Sequence, residues 1–558
     1  MQDNDNRSEI NIEDQHIIDN KELNLIEALV PVVILMGLLS YNIFFVEGQE
    51  WFGTYTNQII LLLGGLVAAV VGFFNKTSFQ TMLTEVWENL RSVLVPILIL
   101  LLVGALAGTW LVSGVIPAMV YYGLQVLSPE IFLPASVIIA AVISIATGSS
   151  WTTSATVGIA LVGIGTALGI NPGMIAGAVI SGAYFGDKMS PLSDTTNLAP
   201  AMAGTDLFTH IKYMAITTVP TIIITLIVFT LISFNMDSTG NSDTTFILET
   251  IDTYFNITPW LFVVPAAVIG LILIKTKPLI ALVSGVLIAI VFAFIFQPKL
   301  INSITDSSFK TIVNAVLTDT NITISNKDYI EALSESDIEK INNDEDRLEN
   351  LFSDNDLKGI YTAESLENFF SSEYVNPQII QNKAENLDKL ITIKRLKKLF
   401  SAGGMNGMLW TIFLIICAMV FGGIMDGIGA LARITKALLS VASTIFGLFA
   451  STVLSCLGLN VIASDQYLAI VIPGKMFKKA YEDKGLAPEN LSRTLEDSGT
   501  VTSVLIPWNT CGAYQSGVLG VSVADYFVYT IFNWLSPFTT LVFAAFRIKI
   551  KMLTKKKV

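Results

Sequence analysis

Long apolar runs alternate with short polar stretches along most of the chain, and they predict membrane helices. A membrane-spanning α-helix needs about 20 consecutive, mostly apolar residues. Runs that reach or approach this length lie at residues 25–46, 58–74, 93–112, 211–234, 259–274 and 278–296. We therefore predict an all-α polytopic membrane protein.

The composition agrees with this prediction. Of the 558 residues, 52% are hydrophobic and 14% are charged, whereas soluble domains carry about 25% charged residues. Most of the net charge of −13 comes from residues 1–22 and 302–389. Neither segment has the clustered Lys and Arg of a nucleic-acid surface, so we expect no nucleic-acid partner. The N-terminus lacks the basic region of a cleaved signal peptide, and the first run is expected to remain as a membrane helix.

Basic residues in the short loops predict the orientation, because Lys and Arg are enriched on the cytoplasmic side. They occur around Lys76 and Arg91, at Lys277 and in residues 547–558. We expect both termini in the cytoplasm and the acidic stretch of residues 299–405 outside the cell.

A shift of about 313 residues places Gly186 and Ser190 on Gly499 and Ser503, which suggests an internal repeat. The loop charges start the first repeat inside and the second outside, so we predict two repeats of inverted topology, as in many secondary transporters. The predicted order is a cytoplasmic acidic tail (1–24), N-terminal membrane helices (25–92), repeat 1 (93–234), connecting membrane helices (235–298), an extracellular acidic insertion (299–405), repeat 2 (406–547) and a basic cytoplasmic tail (548–558).

Four polar clusters interrupt the apolar segments, two in each predicted repeat. They lie at residues 148–154, 181–206, 460–466 and 496–510. Carboxylates, hydroxyls, amide oxygens and backbone carbonyls are the ligands of hard cations such as Na⁺. Gly and Pro in the clusters predict broken or re-entrant helices, whose free carbonyls are tolerated in a membrane only where protein or water surrounds them.

A single carboxylate that binds either Na⁺ or H⁺ gives an ion exchanger without further machinery. Lys188, next to Asp187, is the expected counter-charge when the site is empty. Other interpretations stay open. Asp187 and Asp206 could lie in an aqueous loop, and Asp194 could be a helix N-cap. The Ser and Thr residues of cluster 148–154 could serve only close helix packing, or could bind an organic anion at a half-helix N-terminus.

Sequence motifs disfavour an intramembrane enzyme. The histidines are His16 and His210, and neither lies inside an apolar run to act as a serine protease base. HExxH and the P-loop are absent. Asp187 and Asp465 would be the pair for an aspartyl protease, but no GxGD accompanies them. The three cysteines have no CxxC spacing, so we expect neither a metal cluster nor a disulfide.

Four long motifs resemble the NhaC family of bacterial Na⁺/H⁺ antiporters. They are ATGSSWTTSATVG, SGAYFGDKMSPLSDTTNLAPAMAGTDLF, ASDQYLAIVIPGKMFKKAYEDKGLAPENLSRTLEDSGTVTS and LIPWNTCGAY. The resemblance implies exchange of Na⁺ for H⁺ across the bacterial cell membrane by alternating access, with inverted repeats and re-entrant hairpins. It leaves malate/lactate exchange coupled to Na⁺ and H⁺ as an alternative. The acidic insertion is longer than this connection is in the family.

The clusters and the resemblance together give the candidate site. Its residues are Ser149, Ser150, Thr152, Asp187, Ser190, Asp194, Thr195, Thr196, Asn197, Asn460, Asp465, Glu496, Asp497, Ser498, Thr500, Asn509 and Thr510. Na⁺ is expected at Asp187, Asp194, Asn197 and Asn509. No cofactor is expected besides the transported Na⁺ and H⁺. The expected partners are these ions, the lipid bilayer, a small carboxylate in the alternative function, and a second copy in a homodimer.

Overall fold

A computed structural model describes residues 18, 20–46, 51–235, 244–274, 276–322 and 399–553. Most of the predicted acidic tail, residues 323–398 of the predicted insertion and the last five residues of the chain lie outside the described residues. The predicted domain boundaries therefore stay predictions.

The predicted apolar runs form helices with nearly the same bounds. The main ones are Leu25–Phe45, Thr56–Phe74, Leu94–Val112, Leu207–Asn235 and Pro278–Phe296. The N-cap of the first is Asn24, and the side chains of Asn24 and Glu27 cap each other's backbone amides. Within the described ranges, eight helices are long and apolar enough to cross a membrane.

The predicted run at residues 259–274 is part of a bent pair of helices. The helix Thr244–Tyr254 is followed by the 3-10 turn Pro259–Phe262 and the helix Val263–Leu273, with an angle of 87° at the break. Gln297 fixes the bend, because its amide group both accepts from Asn256 N (3.0 Å) and donates to Asn256 O (3.0 Å).

The two halves of the chain contain the same order of helices. The first half comprises Leu94–Val112, Val115–Val126, Pro129–Thr147, Ser150–Thr153, a π-helical turn Ser154–Gly158, Ile159–Ala167, Pro172–Met189, Asp194–Ala203 and Leu207–Asn235. The second comprises Leu409–Gly427, Ala430–Ser440, Ile445–Ile462, Leu468–Asp483, Pro488–Leu495, a π-helical turn Glu496–Thr500, a 3-10 turn Ser503–Leu505, Thr510–Leu519, Val523–Phe527 and Ile531–Ala545.

Left-handed backbone positions set the offset between the halves. Gly114 and Gly429 are 315 residues apart, and three further pairs are 316 apart: Gly148 with Ser464, Gly169 with Gly485, and Gly204 with Gly520. The predicted shift of about 313 is three residues short of this value. Three residues are close to one helical turn, so the sequence comparison matched Gly and Ser one turn away from their structural equivalents.

The remaining elements are the helices Phe79–Ser92, Pro298–Ile304 and Ser308–Leu317, the 3-10 turn Asn406–Met408, and a short antiparallel strand pair, Thr320–Asn321 with Ser401–Ala402. The predicted fold class is confirmed: an all-α polytopic membrane protein with two inverted-topology repeats and broken helices. The broken helices matter most for function, because they place polar side chains within the apolar core.

Candidate ion-binding site

The first break in a helix, Gly148–Ser149, lies against the second, residues 190–193. Gly148 has a left-handed backbone, and a Cβ atom there would lie 2.6 Å from Leu192 Cβ, so only glycine permits this approach. The Ser190 hydroxyl donates to the Ile145 carbonyl (2.8 Å). A carbonyl that the break leaves without a helical partner is thereby satisfied.

Asp187 belongs to the helix Pro172–Met189, and its carboxylate lies at the N-terminus of the helix that begins at Ser150, after the first break. One of its carboxylate oxygens, Oδ2, accepts from the Ser150 amide (3.0 Å) and the Ser150 hydroxyl (2.7 Å). Ser149 caps the same helix by accepting from Thr152 N (3.2 Å). The partial positive charge of a helix N-terminus stabilises an anion at this position.

The second half repeats this arrangement with different side chains. Trp508 donates through Nε1 to the Val461 carbonyl (2.8 Å), and Val461 lies 316 residues after Ile145. Thr510 N donates to the Ser464 carbonyl (3.0 Å). Asp465 accepts from Leu468 N (2.9 Å) and so caps the helix after its own break.

Asn460 and Asn509 bind one another across the breaks of the second half. Asn509 donates to the Asn460 carbonyl (3.0 Å) and accepts from Cys511 N (3.0 Å). Asn460 donates to Gly499 O (2.8 Å) and Thr502 Oγ1 (3.0 Å). This network ties the π-helical turn Glu496–Thr500 to the neighbouring break.

An ion pair between Lys188 and Asp497 joins the two halves, and both side chains are fully buried. Lys188 also donates to Ser536 Oγ (3.1 Å), while Asp497 Oδ2 accepts from Thr217 (2.8 Å) and Thr540. The prediction that Lys188 neutralises Asp187 is wrong, since its partner is Asp497. With these hydroxyls around it, the buried pair is well hydrogen-bonded, as such a pair must be to be tolerated.

Glu496, the neighbour of Asp497, has a different environment. Its Oε1 accepts from Thr195 Oγ1 (3.1 Å), and its buried Oε2 has no hydrogen-bond partner among the residues that the structure describes. Thr195 Oγ1 also lies 3.2 Å from Ser193 Oγ, and Ser193 interacts with the Asp187 carboxylate. A chain of two hydroxyls thus runs between Asp187 and Glu496.

Several other predicted site residues lie on the helix Asp194–Ala203. Its N-cap is Ser193, which accepts from Thr196 N (3.4 Å), so Asp194 is its first residue and not its cap. Asp194 and Asn197 are exposed, whereas Thr195 and Thr196 are buried. Asn197 donates to the Pro191 carbonyl (3.1 Å).

The remaining predicted hydroxyls have local roles. Thr196 Oγ1 donates to the carbonyls of Asp187 (3.2 Å) and Lys188 (3.1 Å) at the end of their helix. Ser498 Oγ donates to Thr494 O, and Thr510 Oγ1 lies 3.5 Å from Asn509 Oδ1. The buried hydroxyl of Thr500 has no hydrogen-bond partner within the described ranges.

Asp206, a weaker candidate, lies outside the broken helices. Its Oδ1 accepts from Thr209 N (2.9 Å) at the start of the helix Leu207–Asn235. Hydrogen bonds from the Thr209 side chain and amide lower the pKa of the Asp206 carboxyl, which is exposed. This residue is therefore a helix cap.

The structure divides the predicted site into two groups. Asp187, Ser150, Thr195, Glu496 and Asp497 converge where the halves meet, and Asn460, Asp465 and Asn509 lie around the breaks of the second half. Sequence reasoning missed Thr217, Ser536 and Thr540. Each is a hydroxyl within an apolar run, where Ser and Thr are common, so no sequence signal distinguishes them.

Comparison with known proteins identifies the family. The sequence model described as the Na⁺/H⁺ antiporter family matches residues 182–339 and 384–548, which is more than half of the chain. The chain belongs to this family. It is therefore a multi-pass membrane transporter whose transported ions are Na⁺ and H⁺, and the predicted Na⁺/H⁺ antiport is confirmed.

Individual relatives match over most of their length. The Na⁺/H⁺ antiporter NhaC of Alkalihalophilus pseudofirmus is 34% identical, with 91% of this chain and 93% of that protein covered. NhaC of Bacillus subtilis is 30% identical, covering 82% and 84%. The malate-2H⁺/Na⁺-lactate antiporter of Bacillus subtilis is 29% identical, covering 91% and 92%. The predicted resemblance to the NhaC family is confirmed.

Proposed function

We propose that Na⁺ and H⁺ exchange by alternating access at a site formed by Asp187 and Glu496, with Lys188 and Asp497 as its fixed electrostatic support. One observation carries this assignment. Asp187 and Glu496 are carboxylates at the junction of the halves, and neither forms an ion pair in the described part of the chain. A carboxylate without a permanent counter-charge is free to take either Na⁺ or H⁺.

Asp187 is the first ligand in this proposal. Ser150 holds one carboxylate oxygen at the helix N-terminus, and Ser193 also interacts with the carboxylate, so an ion would bind beside these hydroxyls. Hydroxyls and backbone carbonyls of the two adjacent breaks supply further oxygen ligands of the kind that hard cations accept.

Glu496 is the second ligand. It interacts electrostatically with Lys188 and, less strongly, with Asp187, and the Ser193–Thr195 hydroxyls connect the two carboxylates. Two negative charges at one buried site repel each other, so a cation or a proton is needed there. Competition of Na⁺ and H⁺ for this position gives the coupling.

Asp497 is excluded from the ion-binding role by its partners. Lys188 neutralises its charge, and the hydroxyls of Thr217 and Thr540 take its second oxygen. Asp194, Asn197 and Asn509, which are expected around Na⁺ from the sequence, have other surroundings: Asp194 and Asn197 are exposed, and Asn509 is bonded to Asn460.

A relative that exchanges malate for lactate makes organic-anion coupling the second candidate. Such a function needs free amides and hydroxyls for the substrate carboxylate. In this conformation, the Ser150 amide and hydroxyl at the relevant helix N-terminus bind Asp187. The donors expected for an external carboxylate therefore already hold an internal one, which favours ion exchange alone.

We further propose a bacterial cell membrane location, cytoplasmic termini and a homodimer, as the sequence analysis expects. Loop charges support the orientation. Labelling of single cysteines at Thr54 and Thr77 with a membrane-impermeant maleimide in intact cells tests it. Thr54 is expected to react from outside and Thr77 only after the cells are opened.

The experiment for the ion site uses purified protein in proteoliposomes with an imposed Na⁺ gradient and an internal pH-sensitive dye. Asp187→Asn and Glu496→Gln are expected to reduce Na⁺-driven H⁺ flux to the level of empty vesicles. Asp206→Asn, which changes a carboxylate outside the site, is expected to leave the flux within about twofold, because surface changes usually cost little. Normal flux in Asp187→Asn would overturn the assignment. Malate or lactate that stimulated Na⁺ flux would favour the second candidate.

A further inference from the structure

The chain folds back after its last helix and binds the start of another. Residues 547–553, the C-terminal strap, lie against residues 485–493. Main-chain bonds join Ala487 N to Lys551 O (2.9 Å) and Leu553 N to Gly485 O (2.8 Å). Asn490 donates to Lys551 O (2.6 Å). The strap is thus held by backbone and side-chain bonds alike.

A second helix, Leu207–Asn235, also binds the strap, through Tyr213. The Tyr213 hydroxyl donates to Lys549 O (2.7 Å) and accepts from Lys551 N (3.2 Å). Arg547 and Lys549 have left-handed backbones, with φ values of 52° and 49°. Non-glycine residues adopt this conformation at an energetic cost that surrounding contacts must offset, so the strap is a conformation that its contacts maintain.

The helix beneath the strap leads directly into the ion site. Pro488–Leu495 continues without interruption into the π-helical turn Glu496–Thr500, which carries both Glu496 and Asp497. The strap therefore holds the first turn of the element that supplies the second-half carboxylates.

Two charged side chains on this helix lack full partners. Glu489 is buried; its Oε1 accepts from Lys551 Nζ (2.5 Å), and its Oε2 has no hydrogen-bond partner in the described structure. Arg493 is fully buried, and none of its three guanidinium nitrogens has a hydrogen-bond partner among the described residues. Its guanidinium lies 4.7 Å from the centre of the Tyr213 ring.

Glu489 and Arg493 are four residues apart in one helix, so their side chains lie on the same face. A buried arginine without an ion pair is strongly unfavourable, and this carboxylate on the same helix face can relieve it. An anion from solution is disfavoured there, because Glu489 already places negative charge on that face.

We propose that Glu489 exchanges partners: it binds Lys551 when the strap is docked, and Arg493 when the strap is released. Release replaces the Glu489–Lys551 ion pair with a Glu489–Arg493 pair, which offsets part of the cost of breaking the other strap bonds, so the two arrangements can form a switch. The strap becomes a regulatory element for the helix that carries Glu496 and Asp497.

Cysteine labelling tests strap release. Leu486 is fully buried and pairs with Met552 of the strap. In a background with Cys417, Cys456 and Cys511 changed to Ala, Leu486→Cys should react slowly with a maleimide. Adding Lys551→Gln should accelerate labelling about tenfold, since a hydrogen bond between charged groups is lost. Lys549→Gln is the matched control, because this Lys is exposed in the same strap. Equal rates in the two variants would overturn strap release.

A second variant tests the exchange to Arg493 without changing Arg493 itself. In Lys551→Gln/Glu489→Gln, the released state lacks the Glu489–Arg493 pair, so labelling of Leu486→Cys should be slower than in Lys551→Gln alone. Equal rates would exclude the exchange. The rate of labelling is the readout, and size-exclusion profiles report whether each variant is folded. Neither measurement depends on whether Asp187 and Glu496 bind the transported ions.

Discussion

Lys188, at the end of a first-half helix, and Asp497, in a second-half π-helical turn, form an ion pair with no exposure of either side chain. The hydrogen bond between Thr195 and Glu496 also joins the halves at the site. Thr217, Ser536 and Thr540 complete the hydrogen bonds of the ion pair. Each half therefore depends on the other to keep a charge in the apolar core.

Lys188→Met is expected to destabilise the protein by about 3–5 kcal/mol, because removal of one partner leaves a buried charge uncompensated. Thermal unfolding of the detergent-solubilised protein measures the effect. Lys188→Met/Asp497→Asn should be more stable than the single variant, since no lone charge remains. Lys212→Met, at an exposed lysine, should change stability by less than about 0.5 kcal/mol. A single variant as stable as the control would contradict the role of the pair.

Ser150→Ala is expected to raise the Na⁺ concentration for half-maximal H⁺ flux about tenfold, because the Asp187 carboxylate loses its hydrogen bond from the Ser150 hydroxyl (2.7 Å). Proteoliposome flux at a series of Na⁺ concentrations measures this change. Ser154→Ala is the matched control: its buried hydroxyl has no hydrogen-bond partner in the described part of the chain. If both variants behaved alike, Ser150 would not position Asp187.

Gly186→Ala should lower the thermal stability and the folded yield. The helices Pro129–Thr147 and Pro172–Met189 approach so closely that a Cβ at Gly186 would lie 2.5 Å from both Ala141 O and Ser144 Cβ. Gly270→Ala, in another helix but with no atom within 4 Å of the new Cβ, should instead be neutral or stabilising by up to about 1 kcal/mol, as helix propensity favours Ala. Equal melting temperatures would contradict the close approach.

A cross-link between positions 151 and 514 should stop transport. Trp151 and Tyr514 stack across the two halves with ring centres 3.9 Å apart, and the Tyr514 hydroxyl donates to Trp151 O (3.1 Å). Alternating access requires the halves to move relative to each other. In the background without native cysteines, Trp151→Cys/Tyr514→Cys treated with a short bifunctional thiol reagent should lose Na⁺-driven H⁺ flux.

Reduction of a disulfide-type linker should restore that flux, and either single cysteine variant should be insensitive to the reagent. Full activity of the cross-linked protein would show that the Trp151–Tyr514 contact persists throughout the transport cycle.

The helices could be predicted from the sequence because a membrane helix is a local signal of about 20 apolar residues. The partners of the charges could not. Asp187 and Lys188 are adjacent in sequence, but successive helical side chains point about 100° apart. Asp187 therefore reaches Ser150 while Lys188 reaches Asp497. Separations of 37 and 309 residues are invisible to a pattern read along one chain.

The candidate residues Asp194 and Asn197 show the same limit. Their side-chain oxygens suit Na⁺, but the two residues are three apart and lie on one face of the helix Asp194–Ala203. That face is exposed. Thr195, on the buried face, reaches Glu496 instead. Composition identified the right segments, and the helix phase decided which members face the site.

The offset of 316 residues between the halves has a consequence for the transport cycle. At this offset, none of Asp187, Lys188, Glu496 and Asp497 coincides with another charge; the equivalent positions hold Ser503, Val504, Ile180 and Ser181. Two repeats with matching charges would make the inward-open and outward-open states equally stable, because each repeat would take over the other's conformation. In this protein, an exchange of conformations between the two repeats would place these charged residues in different surroundings. We therefore expect the empty transporter to favour one orientation, so that the ion concentrations on the side it faces would set how often a cycle begins.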